Sequence, residues 1–94
     1  MPPLAIYSAS SQNEFDHVEV SYGGASNLVG VSVKSNLVIY GNATPGGNLK
    51  ITNSTFTNSG GYGLYVERNA SVNSDAGTSN SFAGNTSTGY QKQQ

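Results

Sequence analysis

The carboxylates are the residues of this chain whose chemistry could support catalysis or bind calcium. Clustered aspartates hold calcium, and two facing carboxylates can hydrolyse a glycosidic bond. The five carboxylates are Glu14, Asp16, Glu19, Glu67 and Asp75. Asp16 and Glu19 could flank one edge of a strand, but the residues 36 positions later are Thr52 and Thr55. Because no carboxylate matches them one repeat later, we predict no catalytic and no metal site in this chain.

The other ionisable residues do not complete a site. Lys34 and Glu67 are 33 positions apart, and as neighbours on stacked strands they would form a weak surface ion pair worth about 0 to 1 kcal/mol. His17 is the single histidine and aligns with Asn53, so we interpret it as a turn residue rather than a ligand. The chain has no cysteine, which excludes thiol nucleophiles and Cys-based zinc sites. We expect no cofactor.

Three tyrosines are the candidates for contact with a ligand. Tyr7 and Tyr40 occupy the same position of a 33-residue repeat, and Tyr65 alternates with the apolar Leu64 and Val66. Side chains that alternate with core residues point outward from a strand, where an aromatic ring could stack on a sugar. The simpler interpretation is that stacked tyrosines reinforce neighbouring strands by about 0.2 to 1 kcal/mol per pair.

Composition and charge limit the function classes. The chain of 94 residues is 35% hydrophobic and 10% charged, with a net charge of -1. Low hydrophobicity without high net charge does not fit disorder, so we expect a single folded domain. Four Lys and Arg residues, scattered at positions 34, 50, 68 and 92, cannot form the basic face that nucleic acids require. No stretch approaches the roughly 20 apolar residues of a membrane span.

An internal repeat positions these residues. A shift of 33 places Leu4 and Ile6 on Leu37 and Ile39, and it places the block 30–33 on 63–66 and Ile39 on Val72. A shift of 36 aligns 15–24 with 51–60, and a shift of 26 aligns 54–56 with 80–82. Apolar residues alternate throughout, which is typical of strands with one buried face. We predict strands over 4–7, 15–21, 29–34, 37–40, 49–57, 63–67, 70–73 and 81–83.

The repeat also bears on how the strands pair. Equivalent residues are chemically alike, as parallel stacking of one repeat on the next predicts. An antiparallel meander, the alternative, would favour two-residue Asn-Gly or Asp-Gly hairpins. The Gly-Asn and Gly-Gly pairs of this chain lie in longer loops, so parallel pairing is favoured. Residues 91–94 follow the repeats, and we expect them to form a disordered tail.

The repeats resemble those of right-handed parallel β-helix proteins, the pectate-lyase-like family. The resemblance rests on the blocks EFDHVEVSYGG and LKITNSTFTNSGGYGLYVERNA, residues 14–24 and 49–70. It implies an all-β solenoid of about two and a half turns with three short strands per turn. One β-helix segment would span residues 1–90, with repeats at 4–36 and 37–69 and a partial repeat at 70–85.

The resemblance also assigns two residues to the scaffold. In such proteins an asparagine at a tight bend stacks on its equivalents as a ladder, which would here join Asn36 and Asn69. Asparagine suits such a bend because it tolerates the left-handed backbone conformation and its amide can bond to the amides above and below. The preceding repeat has Pro3 at this position, where the ladder would end.

The resemblance implies a function class rather than a ligand. We expect a non-catalytic segment of a larger secreted or cell-surface bacterial protein, with a structural or polysaccharide-contacting role. The alternative is a fragment of a polysaccharide lyase or glycoside hydrolase whose catalytic turns lie outside this chain. Because an uncapped solenoid exposes strand edges, we also expect homodimers or other homo-oligomers formed through its ends.

Overall fold

The computed structural model describes residues 4–6, 10, 12–23, 34–41, 46–87 and 89–93. All the regular structure in this part of the chain is β. Its strands are β1 (Leu4–Ile6), β2 (Glu14–Asp16), β3 (Glu19–Ser21), β4 (Ser35–Ile39), β5 (Asn48–Thr52), β6 (Thr55–Thr57), β7 (Tyr62–Val66), β8 (Ser71–Val72), β9 (Ser81–Ala83) and β10 (Tyr90–Lys92).

The strands form three parallel sheets that the chain visits in rotation. The first sheet has the order β1-β4-β7-β10, the second β2-β5-β8 and the third β3-β6-β9. Three successive strands therefore make one layer: β1 to β3, β4 to β6, and β7 to β9. Every pairing between the described strands is parallel, so the all-β prediction and the parallel pairing are confirmed and the antiparallel meander is wrong.

Part of the predicted register is confirmed. Leu4 pairs with Leu37 and Ile6 with Ile39, as the shift of 33 requires. The shift of 36 is confirmed between β2 and β5 and between β3 and β6, and the shift of 26 between β6 and β9. These blocks were identifiable because polar and aromatic residues mark their position along the strand, as Phe56 and Phe82 do in the third sheet.

The shift of 33 fails in the later layers. Leu37 pairs with Leu64 and Ile39 with Val66, whereas Val72 pairs with Leu49. An apolar residue at every second position matches equally well at shifts that differ by an even number, so the pattern alone does not fix the register. The predicted strand 29–34 and the block 30–33 lie outside the described residues, apart from Lys34, which precedes β4.

Two long predicted strands are each divided by a bend. The ranges 15–21 and 49–57 break at His17 and Asn53, whose φ angles are 59° and 52°. A positive φ interrupts a strand, and asparagine tolerates it better than most residues. These bends separate the second sheet from the third. Each bend is bonded to the next layer, since the amide of His17 donates to the Thr52 carbonyl and that of Asn53 to the Ser79 carbonyl.

The C-terminal residues differ from the prediction of a disordered tail over 91–94. Tyr90–Lys92 form β10, which pairs with β7 as the fourth strand of the first sheet. The amide of Gln93 donates to the Val66 carbonyl, 2.8 Å away. The reason is packing: the Tyr90 ring lies against the core, with its centroid 6.3 Å from that of Phe82. Gln94 lies outside the described residues.

The core is a column of side chains stacked between the sheets. Its fully buried members come from every sheet, and the largest are Val20, Leu37, Ile39, Leu49, Ile51, Phe56, Leu64 and Val66. Like stacks on like in this column. Phe56 and Phe82, which are paired in the third sheet, have ring centroids 5.6 Å apart and planes only 17° from parallel.

A second positive-φ corner repeats in all three layers. It follows the third sheet at Tyr22, Asn58 and Gly84, with φ values of 59°, 56° and 68°. A Cβ at Gly84 would lie 2.6 Å from Oδ1 of Asn58, so a larger residue there would require the Asn58 side chain to move. The three residues thus occupy one structural position, which is filled by a different residue type in each layer. Tyr22 is the most strained of the three, because a bulky residue tolerates a positive φ poorly, and it is 66% exposed.

We predict that the core column, rather than the outer faces, carries the stability. Leu64→Ala should lower the free energy of unfolding by about 2 to 5 kcal/mol, because it leaves a cavity between β4 and β10. Thr57→Ala, on the outer face of the third sheet, should stay within about 0.5 kcal/mol of the unmodified chain. Urea unfolding followed by circular dichroism measures both, and equal effects would contradict the placement of the core.

Candidate functional site

The acidic residues of the first layer lie on the exposed faces of β2 and β3. Asp16 pairs with Thr52 and Glu19 with Thr55, as the sequence predicts, so these positions continue as threonines in the second layer. Glu14 forms an exposed ion pair with Lys50 at 3.9 Å. Among the described residues, no three His, Asp or Glu side chains gather into a group that could hold a metal ion.

Asp16 is the centre of a small polar network at the first bend. Its Oδ1 accepts hydrogen bonds from Nδ2 of Asn53 at 3.1 Å and from Oγ1 of Thr52 at 3.2 Å. Nδ1 of His17 is also 3.1 Å from this oxygen. These contacts, with the Asn53 bond as the largest cause, lower the pKa of Asp16 below its usual value. A carboxylate stabilised in its ionised form is a poor general acid.

Glu67 has a structural contact in place of the predicted ion pair with Lys34. Its side chain is buried, with 4% exposed, and its Oε1 accepts a hydrogen bond from the amide of Gly41 at 2.9 Å. Lys34 is exposed, and its carbonyl accepts the amide of Tyr62. The pair is not formed because β4 and β7 pair Leu37 with Leu64, so Lys34 does not lie next to Glu67.

The Asn36–Asn69 ladder is not formed either. Asn36 lies fully buried in β4, beside Gly63 in the register of β7. Asn69 is exposed in the turn after β7. The side chain of Asn36 instead joins layers: its Oδ1 accepts the Gly23 amide at 2.6 Å, and its Nδ2 donates to the carbonyls of Val20 and Thr57. We call such an asparagine an amide clamp, because it holds backbone groups of a neighbouring layer.

Three further amide clamps were not found from the sequence. Asn85 repeats the contacts of Asn36 one layer later, since its Oδ1 accepts the Ser59 amide and its Nδ2 donates to the Phe56 carbonyl. Asn80 and Asn73 bond in the same way to backbone groups of Ser54 and Ile51. The available signal was the alignment of Asn80 with Ser54, which places two polar residues at one bend.

Two of the three predicted tyrosines, Tyr40 and Tyr65, lie together on the outer face of the first sheet. Tyr65 and Val38 form a small buried cluster there, with Tyr40 and Tyr62 packed against it. The rings of Tyr62 and Tyr65 are 5.0 Å apart and tilted by 42°. Tyr65 is only 8% exposed, and its burial raises the pKa of its hydroxyl. Tyr65 therefore supports the rings of Tyr40 and Tyr62 from below and is not itself a free surface for stacking. Tyr7 lies outside the described residues.

An open groove lies at the β1–β2 end of the core. Its volume is about 450 Å³, and its lining residues are Ala5, Ile6, Gln12, Asn13, Glu14, Phe15 and Leu49. The lining joins apolar core side chains to a few amides and one carboxylate, which suits packing contacts better than chemistry.

The described residues contain no helix that could cross a membrane.

Comparisons with known proteins add no assignment to this geometry. No protein-family model, no curated protein and no solved structure matches the chain.

We predict that Asn36→Asp destabilises the fold in a pH-dependent way. At neutral pH a buried carboxylate would face the carbonyl oxygens of Val20 and Thr57, costing about 3 kcal/mol or more. This environment would raise the pKa of the new carboxyl in the folded state. The penalty should therefore be smallest at acidic pH and grow as pH rises through the unfolded-state pKa.

The matched control is Asn69→Asp, at the exposed position that the sequence placed in the same ladder. It should change the free energy of unfolding by less than about 0.5 kcal/mol at any pH. Denaturant unfolding of both variants between about pH 3 and about pH 7 makes the comparison, because this range extends to both sides of the unfolded-state aspartate pKa of about 3.9. Equal penalties in the two variants would contradict the different environments described for Asn36 and Asn69 and would support the predicted ladder.

We predict that Asn53 is the main cause of the low pKa of Asp16. Asn53→Gly removes the amide donor and keeps the positive φ, so the pKa of Asp16 should rise towards its usual value. Thr52→Val removes a weaker donor and should raise the pKa less. Carboxyl titration by NMR measures both. Because the folded-state pKa is depressed, stability from this network is present above the usual pKa and is lost as pH falls through the lowered value.

Proposed function

We propose that the chain is a non-catalytic, right-handed parallel β-helix segment with a structural role in a larger secreted or cell-surface bacterial protein. The observation that supports this most is the use of its buried polar side chains. Asn36, Glu67 and Asn85 all bond to backbone groups of other layers. Side chains of this kind, which could otherwise bind or react with a ligand, hold the layers together instead.

The rotation of the chain through three parallel sheets supports the β-helix interpretation. Parallel strands of one sheet, separated along the chain by strands of two other sheets, need the layered winding that the sequence resemblance implies. The low content of charged residues, 10%, and the abundance of uncharged polar residues at the bends support the comparison with Asn- and Gly-rich surface proteins of bacteria.

A second candidate function is contact with carbohydrate, and the outer tyrosine cluster favours it. Tyr40 and Tyr62 are half-buried on a base formed by Val38 and Tyr65. Aromatic rings fixed in this way lose little conformational entropy when they stack on a ligand. The apolar face of a sugar ring is the ligand chemistry that such a surface would accept.

Thermal unfolding in the presence of polysaccharides separates the two functions. A structural segment should unfold cooperatively without any ligand, and its midpoint should not shift when neutral or acidic polysaccharides are added. A carbohydrate-contacting segment should gain stability, because a ligand that binds only the folded state raises the midpoint. Release of reducing ends or unsaturated products from any polysaccharide would overturn the non-catalytic proposal.

Two tyrosine variants locate any binding that is seen. Tyr62→Ala removes one ring of the cluster and should abolish a carbohydrate-induced shift. Tyr22→Asn removes the 66% exposed tyrosine at a different corner, and asparagine already occupies the equivalent positive-φ position as Asn58. This control should keep the shift, and loss of binding in Tyr22→Asn alone would move the contact away from the cluster.

A further inference from the structure

Four stretches of this chain carry the Asn-x-Ser/Thr pattern that accepts an N-linked glycan. They begin at Asn42, Asn53, Asn69 and Asn85. Asn42 lies outside the described residues. The pattern does not distinguish the other three, because each has the required hydroxyl residue two positions after the asparagine. The structure distinguishes them by the contacts that each asparagine amide already makes.

Two of the three described acceptor amides are engaged in hydrogen bonds. Nδ2 of Asn85 donates to the Phe56 carbonyl at 3.1 Å, and Oδ1 of Asn85 accepts the Ser59 amide at 3.0 Å. Nδ2 of Asn53 donates to Oδ1 of Asp16 at 3.1 Å. Either nitrogen must leave its partner before it can react. A glycan at Asn85 would also break an amide clamp, so the fold protects these two positions.

Asn69 differs from both. It is exposed in the turn between β7 and β8, and its side chain has no hydrogen-bond partner among the described residues. Ala70 is buried, with 5% exposed, and leads into β8, where Ser71 is exposed. Because neighbouring side chains of a strand point to opposite sides, the burial of Ala70 turns Ser71 outward. The amide that would accept a glycan and the hydroxyl that completes the pattern are therefore both at the surface.

The backbone of this turn is fixed by hydrogen bonds that do not use the Asn69 side chain. The amide of Ala70 donates to the Glu67 carbonyl at 3.0 Å, which closes a four-residue turn. Nζ of Lys92 donates to the carbonyls of Glu67 and Arg68 at 3.0 and 2.9 Å. A group attached to Nδ2 of Asn69 would leave all of these bonds in place.

We propose that Asn69 is the acceptor of an N-linked glycan in the folded chain. The reaction joins Nδ2 of Asn69 to the anomeric carbon of an oligosaccharide carried on a lipid diphosphate. The nitrogen loses one proton, and the bond between the anomeric carbon and the phosphate oxygen breaks. The lipid diphosphate leaves with the electron pair of that bond.

The catalyst of this step is a separate oligosaccharyl transferase, which recognises Asn-x-Ser/Thr. The modification therefore needs no catalytic residue in this chain. It goes beyond the structural role and the carbohydrate contact proposed above, and it depends on neither. What the chain supplies is one accessible amide beside an accessible hydroxyl.

The test uses the purified, folded chain, a transferase that requires only Asn-x-Ser/Thr, and a polyprenyl-diphosphate-linked oligosaccharide. Mass spectrometry of peptides after the reaction should locate one oligosaccharide on Asn69. Asn69→Gln should abolish this signal, because it removes the acceptor amide. Absence of an oligosaccharide on Asn69 in the unmodified sequence would overturn the proposal.

Two serine variants provide the matched comparison. Ser71→Ala and Ser87→Ala remove the same hydroxyl from two patterns, those of Asn69 and Asn85, and both serines are exposed. Ser71→Ala should abolish transfer to Asn69, and Ser87→Ala should leave it unchanged. Circular dichroism spectra that match the unmodified chain establish that both variants remain folded. Equal effects of the two variants would contradict the assignment of the site to the Asn69 turn.

Synthetic peptides separate the effect of the fold from that of the sequence. Peptides that contain Asn53, Asn69 or Asn85 with their flanking residues should all accept the oligosaccharide, since each carries the complete pattern. In the folded chain, transfer to Asn69 should be faster than transfer to Asn53 or Asn85 by about tenfold or more, because those two amides must first give up hydrogen bonds. Comparable rates at the three sites of the folded chain, or no transfer to the Asn69 peptide, would overturn the proposal.

Discussion

Hydrogen bonding between layers is the constraint on which the rest of this structure depends. The strands are three to five residues long, apart from the two-residue β8, and such short strands have few ladder bonds to hold them. Asn36 and Asn85 compensate by bonding to both an amide and a carbonyl in another layer. Buried polar groups that are fully paired in this way fix one arrangement, because any shift would leave them unsatisfied.

The same clamps explain how a core of modest size keeps its register. Alternating Leu, Ile and Val would pack almost equally well after a slip of two residues, since the side-chain period of a strand is two. Asn36 allows no such slip, because its three partners, on Gly23, Val20 and Thr57, lie at fixed positions around one corner. Apolar burial supplies the driving force, and the amides select the alignment.

The sequence predicts which segments are strands, and that they pair in parallel, better than it predicts the register between layers. Alternation predicts the strands, and the chemical likeness of Phe15 to Ile51 or Thr55 to Ser81 predicts which strands pair in the second and third sheets. The register of β4 with β7 was missed because loop lengths vary between layers and aliphatic residues match at several shifts. The clamps were missed because an asparagine in the sequence does not show whether its amide points to solvent, as Asn69 does, or into a corner, as Asn36 does.

The layered pairing has a consequence for how the chain unfolds. Each described pairing joins neighbouring layers only, so we expect the stability of this part of the chain to be close to a sum of interfaces between adjacent layers. Among the described strands, the middle layer belongs to two interfaces, whereas the first has one partner layer. A defect at Phe56 therefore weakens the molecule on both sides at once, while one at Phe15 weakens a single junction. Among the described layers, cooperativity therefore depends most on the middle one.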